Sequence, residues 1–160
     1  MKHIQSEKYT VAWYKIAECV SRGEKERALG VYRLLSHSFN DTAVARQLEG
    51  DIYLSFADRD QAMSLYEQAG NLYKKDKRLL EAAAIYEHLV LLSPNTISFQ
   101  RTIIELYKLL GNTSKKEKHL KRALDNLFNN EQQKFLQEFL SVLQVTDEES
   151  YQFACEYLKR

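Results

Sequence analysis

The residues of this chain with chemistry beyond packing are four histidines, two cysteines, a few carboxylate clusters and one run of lysines. His3, His37, His88 and His119 fall in unrelated segments, and none has the spacing with which a helix or loop presents ligands to a metal. Cys19 and Cys155 lie far apart with no Cys-x-x-Cys pattern, as expected of small buried apolar residues in a reduced compartment. No glycine-rich loop is available to cradle a phosphate, and no nucleophile stands beside a base in a recognisable motif. Glu49 with Asp51 reads as a solvated helix face, and Asp147-Glu148-Glu149 as a charged first turn beside a helix dipole. His88, after Tyr86-Glu87, reads as an exposed or half-buried packing residue. The expectation is a protein that is not an enzyme and has no catalytic centre, metal site or cofactor.

The densest charge feature is Lys115-Lys116-Glu117-Lys118-His119-Leu120-Lys121-Arg122, which on a helix spreads positive groups over more than half the circumference. Its interleaved residues lack the aromatics on which bases stack, so a solvated face is expected rather than a nucleic-acid surface. Lys74, Lys75, Lys77 and Arg78 at a helix junction are read in the same way. Across the chain, 23 basic side chains meet 22 acidic ones for a net charge of +1, which offers no bulk field to gather a polyanion. Met1-Lys2-His3-Ile4-Gln5-Ser6 lacks the apolar stretch of a secretory signal, and no apolar run is long enough to span a bilayer. The expected location is the cytoplasm.

Whatever these side chains do, helices must position them. Five glycines and one proline among 160 residues leave little for the tight turns of a sheet, while strong helix formers dominate. The length suits a single domain over 1–160. Start and stop signals predict about nine helices. The first runs from Thr10 to Arg22 and stops at Gly23, the second from Glu24 to Ser38, the third from Thr42 to Phe56. Asp58 is placed to cap a fourth from Arg59 to Lys75, with Gln61 as its capping-box partner, and Asp76 is a weaker cap for a fifth that ends before Ser93-Pro94-Asn95. A sixth spans Thr96 to Leu110 and stops at Gly111. Ser114 with Glu117, Asn130 with Gln133, and Thr146 with Glu149 are candidate capping boxes for the last three.

Connections this short make consecutive helices antiparallel hairpins, and none can bury its apolar stripe without neighbours. A stack of hairpins should then show self-similarity at a fixed period. Ala28, Tyr32 and Leu35 are followed thirty-four residues later by Ala62, Tyr66 and Ala69. Tyr73, Ala82, Tyr86 and Leu89 are followed at the same interval by Tyr107, Lys116, Leu120 and Ala123.

With Ala12-Trp13-Tyr14, Gly50-Asp51-Ile52-Tyr53 and the closing Ser93-Pro94-Asn95, this chain resembles the tetratricopeptide repeat family over roughly residues 10 to 127. The resemblance implies an all-α, right-handed superhelical solenoid of about four repeats. The two ladders are out of phase, since Ala62 and Ala82 are twenty residues apart, so the fourth helix is shared between two repeats. Locally, Ala69-Gly70-Asn71-Leu72-Tyr73 followed by Glu81-Ala82-Ala83-Ala84-Ile85-Tyr86 is similar to repeats of the soluble NSF attachment proteins. Lys116 departs from the family's alanine, and the expectation is a splayed repeat or a lysine tail turned outward. Residues 128 to 160 fit no repeat. Their stripes, Phe135, Leu136, Phe139, Leu140 and Leu143, then Tyr151, Phe153, Ala154, Tyr157 and Leu158, suit helices that cap the stack, with a homodimer interface as the alternative.

Function follows from the resemblance. Such arrays line a concave surface with their first helices and receive a peptide or helix of a partner protein, which implies an adaptor, assembly factor or co-chaperone. Carried onto this sequence, the partner-binding positions are Gln47, Asp51 and Leu54, then Asn71, Lys74 and Lys75, then Arg101, Glu105 and Lys108. The family's clamp on a terminal carboxylate is not expected here, because Asp51 and Glu67 stand where positive or neutral groups are wanted. Two other readings stay open: a small cytosolic secretion chaperone for an exported client, and a helical-repeat nucleic-acid binder.

Overall fold

The structure, a computed structural model, describes residues 2–129 and 133–159, with side-chain surroundings defined for 11–128 and 133–159. The described residues form nine α-helices and no strand, in two compact units, Met1–Lys77 and Arg78–Arg160.

In the first unit, α1 (Lys2–Ser21), α2 (Lys25–Ser36), α3 (Thr42–Ser55) and α4 (Arg59–Lys75) pack each against the next. α1 begins eight residues before the expected Thr10. The turn after it is made by Gly23, whose φ of 73° lets the Glu24 amide donate back to the Cys19 carbonyl at 2.9 Å. The turn after α3 has the same form around Ala57, at φ 59°, where Asp58 N donates to Tyr53 O at 3.0 Å. Asp41 caps α3 by accepting from Ala43 N and Val44 N at 3.0 and 3.1 Å, and Asp58 caps α4 by accepting from Gln61 N at 3.4 Å. Ile16, Cys19, Ala28, Leu29, Tyr32, Leu35 and Ile52 form the core of α1 to α3.

The contact between α3 and α4 depends on Gly50. A Cβ built there would lie 2.9 Å from Cε1 of Tyr66, so the ring of this almost fully buried tyrosine rests directly on the α3 backbone. The Tyr66 hydroxyl donates to Asp51 Oδ1 at 2.6 Å, and that of Tyr73 to Gln47 Oε1 at 3.0 Å. Burial first, and then the Asp51 carboxylate, push the Tyr66 phenol well above its ordinary pKa, so it stays a donor.

In the second unit, α5 (Leu79–Leu92), α6 (Ile97–Leu109), α7 (Thr113–Asn129), α8 (Gln133–Thr146) and α9 (Glu148–Tyr157) also pack in chain order, and α9 returns to α7. The turn before Ile97 is held from two sides, because Gln100 Nε2 and Asn126 Nδ2 both donate to the Pro94 carbonyl. Lys77, the last residue of the first unit, at φ 59°, and Gly111, at φ 66°, are left-handed turn residues thirty-four positions apart, as are Gly23 and Ala57. Every residue of both ladders is buried. Ile104, Leu120, Ala123, Leu124, Leu127, Phe139, Leu143 and Ala154 join α6 to α9 in one core.

Three expected caps are corrected. Asn112, not Ser114, precedes α7, and its Oδ1 accepts from Lys115 N at 3.1 Å. Asp147, not Thr146, caps α9, because α8 runs on through Thr146, whose hydroxyl donates back to Val142 O at 2.8 Å. Asp76 ends α4, and the residue before α5 is Arg78, which makes no side-chain cap. Asn130 lies outside the described residues.

Candidate functional site

The expected site residues belong to separate parts of the chain. Arg101, Glu105 and Lys108 lie on the exposed side of α6 and line a cleft of about 420 Å³ between α6 and α8. Ile104, Phe139 and Leu143 form its buried floor; Ser98, Thr102, Leu109, Val142, Thr146 and Asp147 complete the walls. Toward the start of both helices the depression continues between Ile97 and Phe135, over Arg101 and Glu138. The first turns of α6 and α8 therefore flank one end and their last turns the other, so the two helices run the same way, each packed on the antiparallel α7. Thirteen residues of α6 at about 1.5 Å each make the groove about 20 Å long. The cleft thus pairs an apolar floor with a few charged groups along one wall.

The closed end of this cleft is polar. Lys108 Nζ reaches across from α6 to the Thr146 carbonyl at 3.1 Å and Asp147 Oδ1 at 3.4 Å. Asp147 also accepts from Ser150 Oγ at 2.8 Å and has Lys116 Nζ 3.9 Å away. Burial opposes its charge, but the Ser150 hydrogen bonds together with Lys116 and Lys108 outweigh that and hold its pKa below the ordinary carboxylate value. Lys116 is the main departure from expectation. Its side chain is only 6% exposed and its ammonium donates to Glu149 Oε2 at 2.8 Å, so it turns inward, against the start of α9. The stem of a lysine can lie along apolar surface when its head finds carboxylates, and the first turn of α9 supplies them.

In the rest of the basic run Lys115, Lys118 and Arg122 are exposed, as expected of a solvated face, while His119 is buried. Glu87 of α5 accepts from Tyr107 of α6 at 2.6 Å and from Lys115 of α7 at 3.3 Å, and His119 Nε2 is 3.5 Å from the same oxygen. Lys115 also donates to the Tyr107 hydroxyl at 3.0 Å, and the His119 ring stacks on that of Tyr107 at 5.5 Å. Burial lowers the pKa of His119; the pull of Glu87 is weaker, and Arg122 and Lys118 add to the lowering. For Glu87, burial is outweighed by its donors, and its pKa lies below the ordinary value. Charge density at positions 115–122 is visible in the sequence, but Glu87 is 28 residues from Lys115, so only packing reveals its convergence with Tyr107 on this run. Lys121 is half-buried over the ring of Phe153.

In the first unit Asp51 borders a second, mainly apolar cleft of about 360 Å³ between α1 and α3, with Trp13, Ile16, Val20, Leu48 and Ile52. Gln47 and Leu54 are half-buried on α3, and Gln47 is engaged by Tyr73. Asn71, Lys74 and Lys75 lie on α4 and line neither cleft. α4, which the sequence register shares between two repeats, packs most extensively on α3.

Among the described residues no group of His, Cys, Asp and Glu is arranged to hold a metal ion, and no helix is long and apolar enough to cross a membrane. No family model matches the chain, and no curated protein is significantly similar to it.

Proposed function

We propose that this chain is a protein-interaction module of the tetratricopeptide type, in which the α6/α8 cleft receives a helix or extended segment of a partner protein. The observation that carries the reading is the cleft itself: a groove about 20 Å long with an apolar floor, flanked by parallel helices and bordered by Arg101, Glu105 and Lys108. Further support comes from the turns. The left-handed residues Gly23 and Ala57, and again Lys77 and Gly111, repeat the thirty-four-residue interval of the buried ladders. The pattern is that of a helical-hairpin array whose phase changes within α4, with α8 and α9 covering the end of the core. Arg101 makes no ion pair among the described residues, so an acidic group on the partner is its natural complement.

The test is capture of partners from the native cells, followed by binding measurements with the recovered protein. Arg101→Glu and Val142→Glu should each weaken binding by tenfold or more, while Lys118→Glu on α7 leaves it within twofold. Equal binding by all three variants would remove the α6/α8 cleft from consideration.

A further inference from the structure

α6 and α8 flank the cleft, meeting at its floor through Ile104, Phe139 and Leu143. Both rest on α7, so at the end where the helices finish, the gap is bridged by a side chain. That side chain is Lys108, with its ammonium on the Thr146 carbonyl at 3.1 Å and on Asp147 Oδ1 at 3.4 Å. The two lysines that meet Asp147 differ in kind. Lys116 approaches from the core, only 6% exposed, and also holds Glu149. Lys108 approaches over the cleft and is 46% exposed. Withdrawing Lys116 would strand a buried ammonium, whereas withdrawing Lys108 returns it to water and leaves Asp147 with Ser150 and Lys116.

We infer that Lys108 is a releasable strap that closes the α8–α9 end of the cleft, while Lys116 is the permanent tie beneath it. The strap rests on the cleft being the working surface, and its role there is to limit how far a bound segment extends toward Asp147. It is nevertheless a property of the unbound chain, so it can fail while the partner reading stands, and the reverse.

Hydrogen exchange across residues 143–151 of the unbound protein tests it. That stretch includes the Asp147 amide, which donates to Leu143 O at 2.7 Å, and the Tyr151 amide, which donates to Asp147 O at 3.0 Å. Lys108→Met keeps the stem and removes the charge. In low salt it should speed exchange in this stretch by about two- to fivefold, the range of a partly exposed ion pair, with α6 and the first half of α7 unchanged. Raising the salt should bring the unaltered protein toward the variant and leave the variant as it was, since screening acts on the exposed pair and far less on Lys116. Less than twofold change in low salt would overturn the strap. So would exchange that rises uniformly through α6 and α7, which signifies a general packing role.

Discussion

Replacing Gly50 by alanine should destabilise the protein although every local rule favours it. In the middle of a helix, Gly to Ala ordinarily stabilises by about 0.5–1 kcal/mol, because alanine loses less backbone freedom on folding. At Gly50 the new methyl would meet Cε1, Cδ1 and Cζ of Tyr66 at 2.9, 3.1 and 3.3 Å. The ring has nowhere to go: Tyr66 is 1% exposed and its hydroxyl is bound to Asp51. Forcing a methyl into such packing costs about 1–3 kcal/mol, which exceeds or cancels the helix gain. Gly30, in the middle of α2, has nothing within 4 Å of the same construction and supplies the control. Propensity cancels between the two variants, so urea unfolding followed by circular dichroism should place Gly50→Ala about 1–3 kcal/mol below Gly30→Ala. In a Tyr66→Leu background the Gly50→Ala penalty should shrink, a coupling that a double-mutant cycle reads directly. Gly50→Ala matching Gly30→Ala in stability would refute the close approach of α3 and α4.

Two further outcomes concern the second unit. Lys116→Ala removes three buried methylenes beyond Cβ, about 2.4 kcal/mol at ~0.8 each, partly offset by ~1.5 kcal/mol of side-chain entropy released, and it also withdraws a cation from Asp147. A net loss of about 1–2 kcal/mol in thermal or urea unfolding is expected, with Lys116→Met closer to the parent; an alanine variant as stable as the parent would contradict the inward lysine. His119 has a pKa below 6.5 in the folded chain, chiefly through burial, so below that pH the unfolded chain takes up a proton that the folded chain resists. Stability present at pH 7 is therefore lost as the pH falls from 6.5 through the folded value, and His119→Gln should flatten this segment of the curve. Glu87 and Asp147, also held low, add losses of the same sign below about 4.5 and 3.8; a stability profile flat from pH 7 to 5 in the unaltered protein would count against the Glu87–Tyr107–His119 packing.

Much of the local structure was legible without coordinates. Gly23, Asp58, Pro94 and Gly111 mark helix ends through rules that involve only a few neighbouring residues, and α4 has the bounds its signals predict. The caps that went astray, Ser114 and Thr146, each have a competing acceptor within two residues, Asn112 and Asp147. A choice between adjacent caps turns on how far the preceding helix continues, and its tertiary packing decides that. The site was legible in part. Arg101, Glu105 and Lys108 share one helix face by spacing alone, but their opposite wall, Phe139, Val142 and Thr146, falls outside any repeat.

What the sequence determined by itself is therefore the all-helical class, most helix bounds and the thirty-four-residue ladders of small and aromatic residues, because helix periodicity and chain punctuation act over a few residues. Only the tertiary structure decided the fate of the charges. Lys116 reads as a solvent-facing residue until the first turn of α9 brings Asp147 and Glu149 over it. His119 reads as part of a basic surface until Tyr107 stacks on it and Glu87 comes within reach of it. A charged side chain can be buried when partners converge on it, and helices distant in the chain supply those partners, so its environment is set by packing and not by its neighbours in sequence.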